Sequence, residues 1–361
     1  MSQTLYRRPL PSHAIAFSSP EGRRVFAEAL ASEGLNGYFP LAEQFHTQSD
    51  PAFCGLGSLV VALNALAIDP ERLWKGPWRW FAEDLLDCCV PLAEVRERGL
   101  DIDELACLAR CNGAEADVQR ADAANLASWR AALALAASGE AVIVASYDRA
   151  AMGQTGGGHF SPIGGYHATR DLALILDVAR FKYPPHWVSA ECLWRAMEPV
   201  DPATGRARGW LVMRRRPLSS ALGFSLSCVG ESWHGLSRCL TAVIADLALS
   251  SSPAALARAV LPLASHLEVR RADTAAHQEA LATARVALRS SAAYPRVREE
   301  VGSEHAEAVT LLLFALADRL TPSQRDGLGT LNGTITDELS NLHAQLAALL
   351  DIQAAATNSR W

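Results

Sequence analysis

Cys54 stands directly before Gly55-Leu56-Gly57, at the start of a run in which Leu59, Val60, Leu63 and Leu66 fall on one helical face. That places the thiol at a helix N-terminus, where the positive end of the macrodipole favours the thiolate, the reactive form of cysteine. Gly55 and Gly57 leave room for a substrate to approach the backbone closely. Gln48, six residues earlier, carries an amide that can donate to a developing oxyanion together with the N–H of the nucleophile. The competing reading of Cys54 is a buried structural cysteine beside a tight turn.

His159 follows three glycines, 156–158, and opens a run over 159–166 that reads as a strand. A second run, 172–179 (LALILDVA), contains Asp177 near its end. Joined by a three-residue loop, either 167–169 or 168–170, the two strands put His159 and Asp177 on one face, because side chains alternate. A loop of even length without a bulge separates them. The order Cys, His, Asp matches a triad in which the thiolate attacks, the imidazole moves the proton and the carboxylate orients the imidazole and supports its cation. Taken singly, His159 reads as a strand-end histidine and Asp177 as a turn residue. Together with Cys54 and Gln48 they read as catalytic.

The elements that carry these residues are helices followed by strands (141–146, 159–166, 172–179) rather than alternating βαβ units, which predicts an α+β fold. Seven of the nine tryptophans lie before residue 215, and from about 217 the chain becomes Ala/Leu-rich with helical periodicity. The expected division is therefore 1–216, the catalytic part, and 217–361, a mainly α-helical part, with Arg214-Arg215-Arg216-Pro217 at the boundary. In the second part Ser252-Pro253 opens one helix, Asp273 or Thr274 caps another running to Ser290, and segments 303–320 and 334–353 repeat apolar residues at helical spacing. Its histidines, His234, His266, His277, His305 and His343, have no ligand-like spacing.

The chain has 361 residues, half of them hydrophobic and a fifth charged, with net charge −6. That composition excludes a disordered chain, and the acidic balance speaks against a nucleic-acid binder. The longest apolar runs, 59–68 and 310–317, are about half of the ~20 residues that span a bilayer. The N-terminal residues hold no apolar core of signal-peptide length, so the expectation is a soluble, cytoplasmic protein. In that setting the eight cysteines are expected as thiols.

Five stretches, FHTQSDPAFCGLGSLVVALNALAIDP (45–70), WKGPWRWF (74–81), LDCC (86–89), GQTGGGHFSPIGGYH (153–167) and LILDVARFKYPPHW (174–187), together resemble the phytochelatin synthase family, in its order and over nearly all of residues 5–215. LSCVGESW (226–233) is similar to the opening of the family's C-terminal region, as in its long form. The resemblance implies a papain-like catalytic domain and a γ-glutamylcysteine dipeptidyltransferase that makes phytochelatins from glutathione. Cys54 forms a γ-Glu-Cys thioester with release of glycine, His159 is base and then acid, Asp177 orients it, and Gln48 is the oxyanion donor. It further implies that Asp201 and Arg208 hold the γ-glutamyl ammonium and carboxylate, and that Arg180, Arg149, Lys182 and Tyr183 serve the second substrate. No organic cofactor is implied. A heavy-metal ion, Cd²⁺ or Zn²⁺, acts as activator, entering as a glutathione thiolate complex. Cys88, Cys89, Cys107 and Cys111 also match family positions and have the soft chemistry of metal ligands, against a reading as core thiols.

The sequence departs from the family at Phe53, where plant members carry Tyr, and at His167, where an amide residue stands. The C-terminal part holds only Cys228 and Cys239, so its helices are expected to pack or dimerise rather than sense metal. The expected partners are glutathione, phytochelatin peptides and metal ions, with a homodimer possible and neither nucleic acid nor membrane. One alternative is a papain-like peptidase that hydrolyses glutathione or its conjugates to γ-Glu-Cys products. Another is a metal-binding thiol protein, for which eight cysteines are few.

Overall fold

The computed structural model describes residues 7–70, 73–87, 89–215, 223–226, 233–250, 252–269, 275–331 and 335–358. Two compact units divide the chain: Met1–Asp69 with Trp80–Leu86 and Leu92–Arg216, and Pro70–Arg79 with Asp87–Pro91 and Pro217–Trp361. Two short stretches ahead of residue 217 thus group with the second unit, which composition alone does not register. No helix among the described residues is long and apolar enough to cross a membrane.

The first unit runs β1 (Ile15–Ala16), α1 (Pro20–Ala31), α2 (Tyr38–Ala42), α3 (Cys54–Ala65), α4 (Leu92–Arg98), α5 (Ile102–Cys111), β2 (Ala114–Arg120), α6 (Leu126–Ser138), β3 (Val142–Asp148), β4 (Gly158–His167), β5 (Leu172–Ile175), β6 (His186–Ser189), α7 (Ala190–Met197), β7 (Val200–Asp201), β8 (Arg206–Ala207) and β9 (Gly209–Arg215). Seven strands make one sheet in the order β1-β6-β5-β4-β3-β9-β2, and β7 and β8 form a separate ribbon. Every pairing is antiparallel. Helices with an antiparallel sheet give the expected α+β class.

Most of these helices begin where the sequence supplies a cap. Ser19 accepts from Gly22 N ahead of Pro20 on α1, Asp101 and Glu104 form a capping box on α5, Asn125 caps α6, and Ser189 caps α7. Helix α3 has no side-chain cap and is buried continuously from Gly55 to Leu63. An apolar helix buried all round is placed by the core rather than by local signals. Its first N–H groups are therefore left open at the Cys54 end. On the other side of the sheet Trp129, Trp194 and Trp210 interlock, with ring centroids 5.2 Å (Trp129–Trp210) and 6.2 Å (Trp194–Trp210) apart. The Trp129 indole N–H donates to Ala190 O at 3.1 Å.

The hairpin of β4 and β5 corrects the expected three-residue loop. His167 pairs with Leu172, so the loop is 168–171: a tight turn at Ala168–Arg170 ended by Asp171 at φ 52°. An even loop alone would set His159 and Asp177 on opposite faces. A bulge between Ile163 and Gly165 inserts one residue, after which Ile163 pairs with Ile175 and parity is restored. The inserted residue is Gly164, where a Cβ would stand 2.8 Å from Cγ of Leu176. Strand β5 ends at Ile175, short of the expected 179, so Asp177 opens an irregular stretch.

The second unit contains β10 (Phe224–Leu226), α8 (Trp233–Leu249), α9 (Pro253–Ala264), β11 (Leu267–Val269), α10 (Ala275–Arg289), α11 (Tyr294–Ala315), α12 (Pro322–Leu328) and α13 (Thr336–Asn358). Ser252 caps α9 as expected, accepting from Ala255 N at 3.2 Å. The expected cap at Asp273 or Thr274, and Cys228, lie outside the described residues. Helices α9 and α11 pack through apolar stripes that include Leu256, Val260, Leu263, Val309, Leu312 and Leu313, all buried. Polar groups of α13 satisfy the backbone of β10: Gln345 accepts from Leu226 N at 2.7 Å and Asn341 donates to Phe224 O at 3.3 Å.

Candidate active site

Cys54 is the first residue of α3, half-buried, with its N–H making no hydrogen bond among the described residues. Burial pushes the thiol up. The His159 cation, a hydrogen bond with His159, the backbone N–H of Phe160 and the charge of Arg149 outweigh burial and hold it below its ordinary value. His159 Nε2 lies 3.0 Å from Asp177 Oδ1, which leaves Nδ1 for the thiol. Burial lowers the basicity of His159, but Asp177 and the Cys54 thiolate raise it above its usual value. Asp177, fully enclosed, is held far below the usual carboxylate range: burial opposes this, and His159 and Arg149 overcome it. Both shifts favour a thiolate–imidazolium pair backed by a carboxylate.

Neighbouring strands fix the imidazole. Tyr147 pairs with His159 across β3 and β4, their rings meeting edge to face at 5.7 Å, and its hydroxyl is 3.2 Å from Ser161 Oγ. Composition gives no hint of Tyr147, whereas the β3–β4 register finds it.

Gln48 is 4 % exposed and anchored by its N–H on Val178 O at 3.1 Å. Its Nε2 donates to Asp50 O at 2.8 Å and Pro51 O at 3.0 Å, and Oε1 is buried without a partner. Both amide protons are therefore engaged, and to meet an oxyanion the amide must exchange one carbonyl for it. Glu83, also buried, accepts from Ser49 N and Oγ and sits 2.9 Å from His46 Nε2, so it fixes the segment that carries Gln48. Phe53 lies under Arg96, whose guanidinium carbon is 5.5 Å from the ring centroid. His167 is tied to Glu28 at 3.2 Å, a structural contact.

Asp201 and Arg208 form a buried pair, Nη1 donating to Oδ2 at 2.6 Å. The guanidinium covers Gly158, the residue before His159, and its Nε is buried without a partner. Charge and an open donor thus stand at the edge of the triad.

The four residues expected at a second substrate separate. Arg149 is 3 % exposed; Nη2 spans both oxygens of Asp177 at 2.9 and 2.8 Å, and Nη1 donates to Gln154 Oε1 at 2.5 Å. Tyr183 is buried, its ring centroid 5.1 Å from the Arg149 guanidinium carbon and its hydroxyl accepting from Thr155 N at 2.8 Å. Both face inward, because a buried carboxylate needs a cation more than a solvent-facing site does. Lys182 is half-buried beside Arg149, and its ammonium has no hydrogen-bond or ion-pair partner among the described residues. Burial and then Arg149 push its basicity down. Arg180 lines a cavity of about 180 Å³ together with Tyr38, Phe45, His46, Asp177 and Val178.

Of the expected metal-ligating cysteines, Cys88 lies outside the described residues. Cys107 and Cys111 lie one turn apart on α5 with Sγ atoms 3.8 Å apart. Cys89 belongs to the second unit. Cys89, Cys107 and Cys111 are all buried.

The geometry sets a cysteine beside a histidine that is held by a carboxylate, and comparison with known proteins gives the family. The family model for phytochelatin synthase matches residues 5–210. A wheat (Triticum aestivum) protein, glutathione gamma-glutamylcysteinyltransferase 1, is 53% identical over 237 residues, covering 65% of this chain and 47% of that protein. The Arabidopsis thaliana protein of the same name is 50% identical over 66% of this chain and 49% of its own length. The Schizosaccharomyces pombe glutathione gamma-glutamylcysteinyltransferase is 40% identical over 66% of this chain and 58% of that protein. The chain spans about half the length of the plant relatives it matches. Since the matched region contains every residue of the Cys54–His159–Asp177 cluster and the Asp201–Arg208 pair, the chain belongs to the phytochelatin synthase family.

Proposed function

We propose that this protein is a metal-activated γ-glutamylcysteine dipeptidyltransferase of the acyltransferase class, making phytochelatins from glutathione in heavy-metal detoxification. It acts in the cytoplasm through a papain-like domain, residues 1–216, followed by a helical domain, 217–361. The observation that carries this reading is the Cys54–His159–Asp177 cluster with the Asp201–Arg208 pair beside it at Gly158.

The Cys54 thiolate attacks the cysteinyl carbonyl of glutathione. The oxyanion faces the open N–H of Cys54 and Gln48 Nε2. His159 gives its proton to the departing glycine amine as the C–N bond breaks, leaving a γ-Glu-Cys thioester on Cys54. The amine of a second glutathione then attacks the thioester, His159 takes the amine proton, and the thiolate leaves. Asp177 keeps the imidazole aligned throughout. Asp201 and Arg208 hold the ammonium and carboxylate of the γ-glutamyl end, Arg as a fork. The Lys182 ammonium, unpartnered among the described residues, suits the carboxylate of the acceptor. Cd²⁺ or Zn²⁺ enters as a thiolate complex of glutathione, and so as part of the substrate.

The test is product identification by mass after incubation with glutathione, with and without Cd²⁺. Oligomers of γ-Glu-Cys ending in glycine support transfer. γ-Glu-Cys alone means hydrolysis, and unchanged glutathione refutes both.

A further inference from the structure

The triad is backed by a buried polar chain that extends well past Asp177. Arg149 clamps both Asp177 oxygens through Nη2 and gives Nη1 to Gln154 Oε1. Gln154 Nε2 is 3.0 Å from His186 Nε2, and His186 Nδ1 is 2.8 Å from Pro184 O. Gln154 is 5 % exposed and His186 fully buried.

The chain has only one consistent direction. Pro184 O is an acceptor, so His186 Nδ1 carries the proton. Nε2, bare in the neutral ring, then accepts, and Gln154 must turn its NH₂ toward it. That turn presents Oε1 to Arg149, which can only donate. Arg149, held at one nitrogen, delivers the other to Asp177. Burial lowers the ring's basicity, the Pro184 carbonyl and Asp177 act against it, and Arg149 and His159 act with it. Asp177, Arg149 and His159 are the charged groups that bear on the imidazole.

We propose that Gln154 and His186 are positioning residues for the triad, setting the orientation of Arg149 and through it of Asp177 and His159. Neither touches the reacting atoms. The idea rests on Cys54 and His159 being the reacting pair but not on the identity of the substrate, so it is tested without glutathione. In Gln154→Met the side chain keeps its length and loses both hydrogen-bonding ends. Arg149 then loses the partner of Nη1 and keeps only Asp177 and the Tyr183 ring, Asp177 keeps the N–H of Ala179, and the slackened clamp loosens the grip of His159 on the thiol. Cys54 owes more to His159 than to Arg149, so the thiolate forms at higher pH.

The measurement is the rate of Cys54 alkylation by iodoacetamide against pH in the full chain, with thermal unfolding alongside. The expected result is an upward shift of the alkylation midpoint in Gln154→Met on the order of one pH unit. Gln154→Glu, which still accepts from Arg149 and draws a proton onto His186 Nε2, is expected to keep the parent midpoint. His186→Leu shifts the midpoint upward, and the double variant with Gln154→Met shifts it no further than the larger single change, as members of one chain are not additive. A purely structural role lowers the unfolding temperature and leaves the midpoint alone, and that outcome overturns the proposal. So does a Gln154→Glu midpoint displaced as far as that of Gln154→Met, which remains readable if Gln154→Met fails to fold.

Discussion

A Cβ on Gly158 would stand 2.6 Å from Nη1 and 2.9 Å from Cζ of Arg208. The backbone before His159 and the guanidinium proposed to receive the γ-glutamyl carboxylate are thus fitted to one another, and a side chain at 158 makes the guanidinium shift. Gly158→Ala is expected to push Arg208 from Asp201 and raise KM for glutathione at least about tenfold, the effect of losing a well-placed polar contact. Alkylation of Cys54 should stay close to that of the parent. An unchanged KM would show that Arg208 is free to move and that the fit has no bearing on substrate.

Arg208→Ala and Asp201→Ala should weaken acylation by about 2–5 kcal/mol, since each leaves its buried partner unpaired. Both should leave the thiol reactive to small alkylators. The check is the single-turnover rate of thioester formation in each variant. Acylation at the parent rate in both places the specificity site elsewhere.

The pH dependence follows from opposite shifts in the pair. Cys54 is lowered, so its thiolate persists above that depressed value and is lost as pH falls through it. His159 is raised despite burial, so its proton for the leaving glycine is present below that elevated value and is lost as pH rises through it. Acylation should be bell-shaped, and Asp177→Asn, which removes the carboxylate supporting the imidazolium, should move the alkaline limb to lower pH. The same variant should lower kcat by roughly 10²–10⁴, as when an orienting acid is removed. An alkaline limb that stays in place in Asp177→Asn would assign it to another group.

Much of this site is readable in the chain. The Gly55–Leu66 periodicity places Cys54 at a helix start, and the structure has α3 begin there. The His159–Asp177 relation is subtler. Strand alternation predicts one face only for an odd loop, whereas the chain uses an even loop and one bulge at Gly164. Two parity changes cancel, and neither is visible without knowing that Leu176 crowds position 164. Arg149 and Tyr183 are legible as chemistry but not as direction, because the pattern of charges does not say which carboxylate a cation faces. Gln154 and His186 sit inside the recognisable stretches 153–167 and 174–187, but a pairing 32 residues apart has no local signature.

A chain shortened to residues 1–216 is expected to retain glycine release from glutathione, because every residue placed in the site belongs to the first unit. Its thermal unfolding is recorded alongside, to show that the shortened chain is folded. The assay is glycine release and thioester formation by the soluble shortened chain. A folded shortened chain that cannot acylate Cys54 would mean that the second unit completes the site.

The most direct test of the account is the covalent state of Cys54 during turnover. The protein is quenched in acid after brief incubation with glutathione, and the peptide containing Cys54 is weighed. The account predicts one γ-Glu-Cys group on Cys54, one glycine released per group, and no adduct in Cys54→Ser, whose turnover falls at least about 10³-fold. An adduct on another residue, or steady turnover with Cys54 unmodified and Cys54→Ser still active, would contradict it.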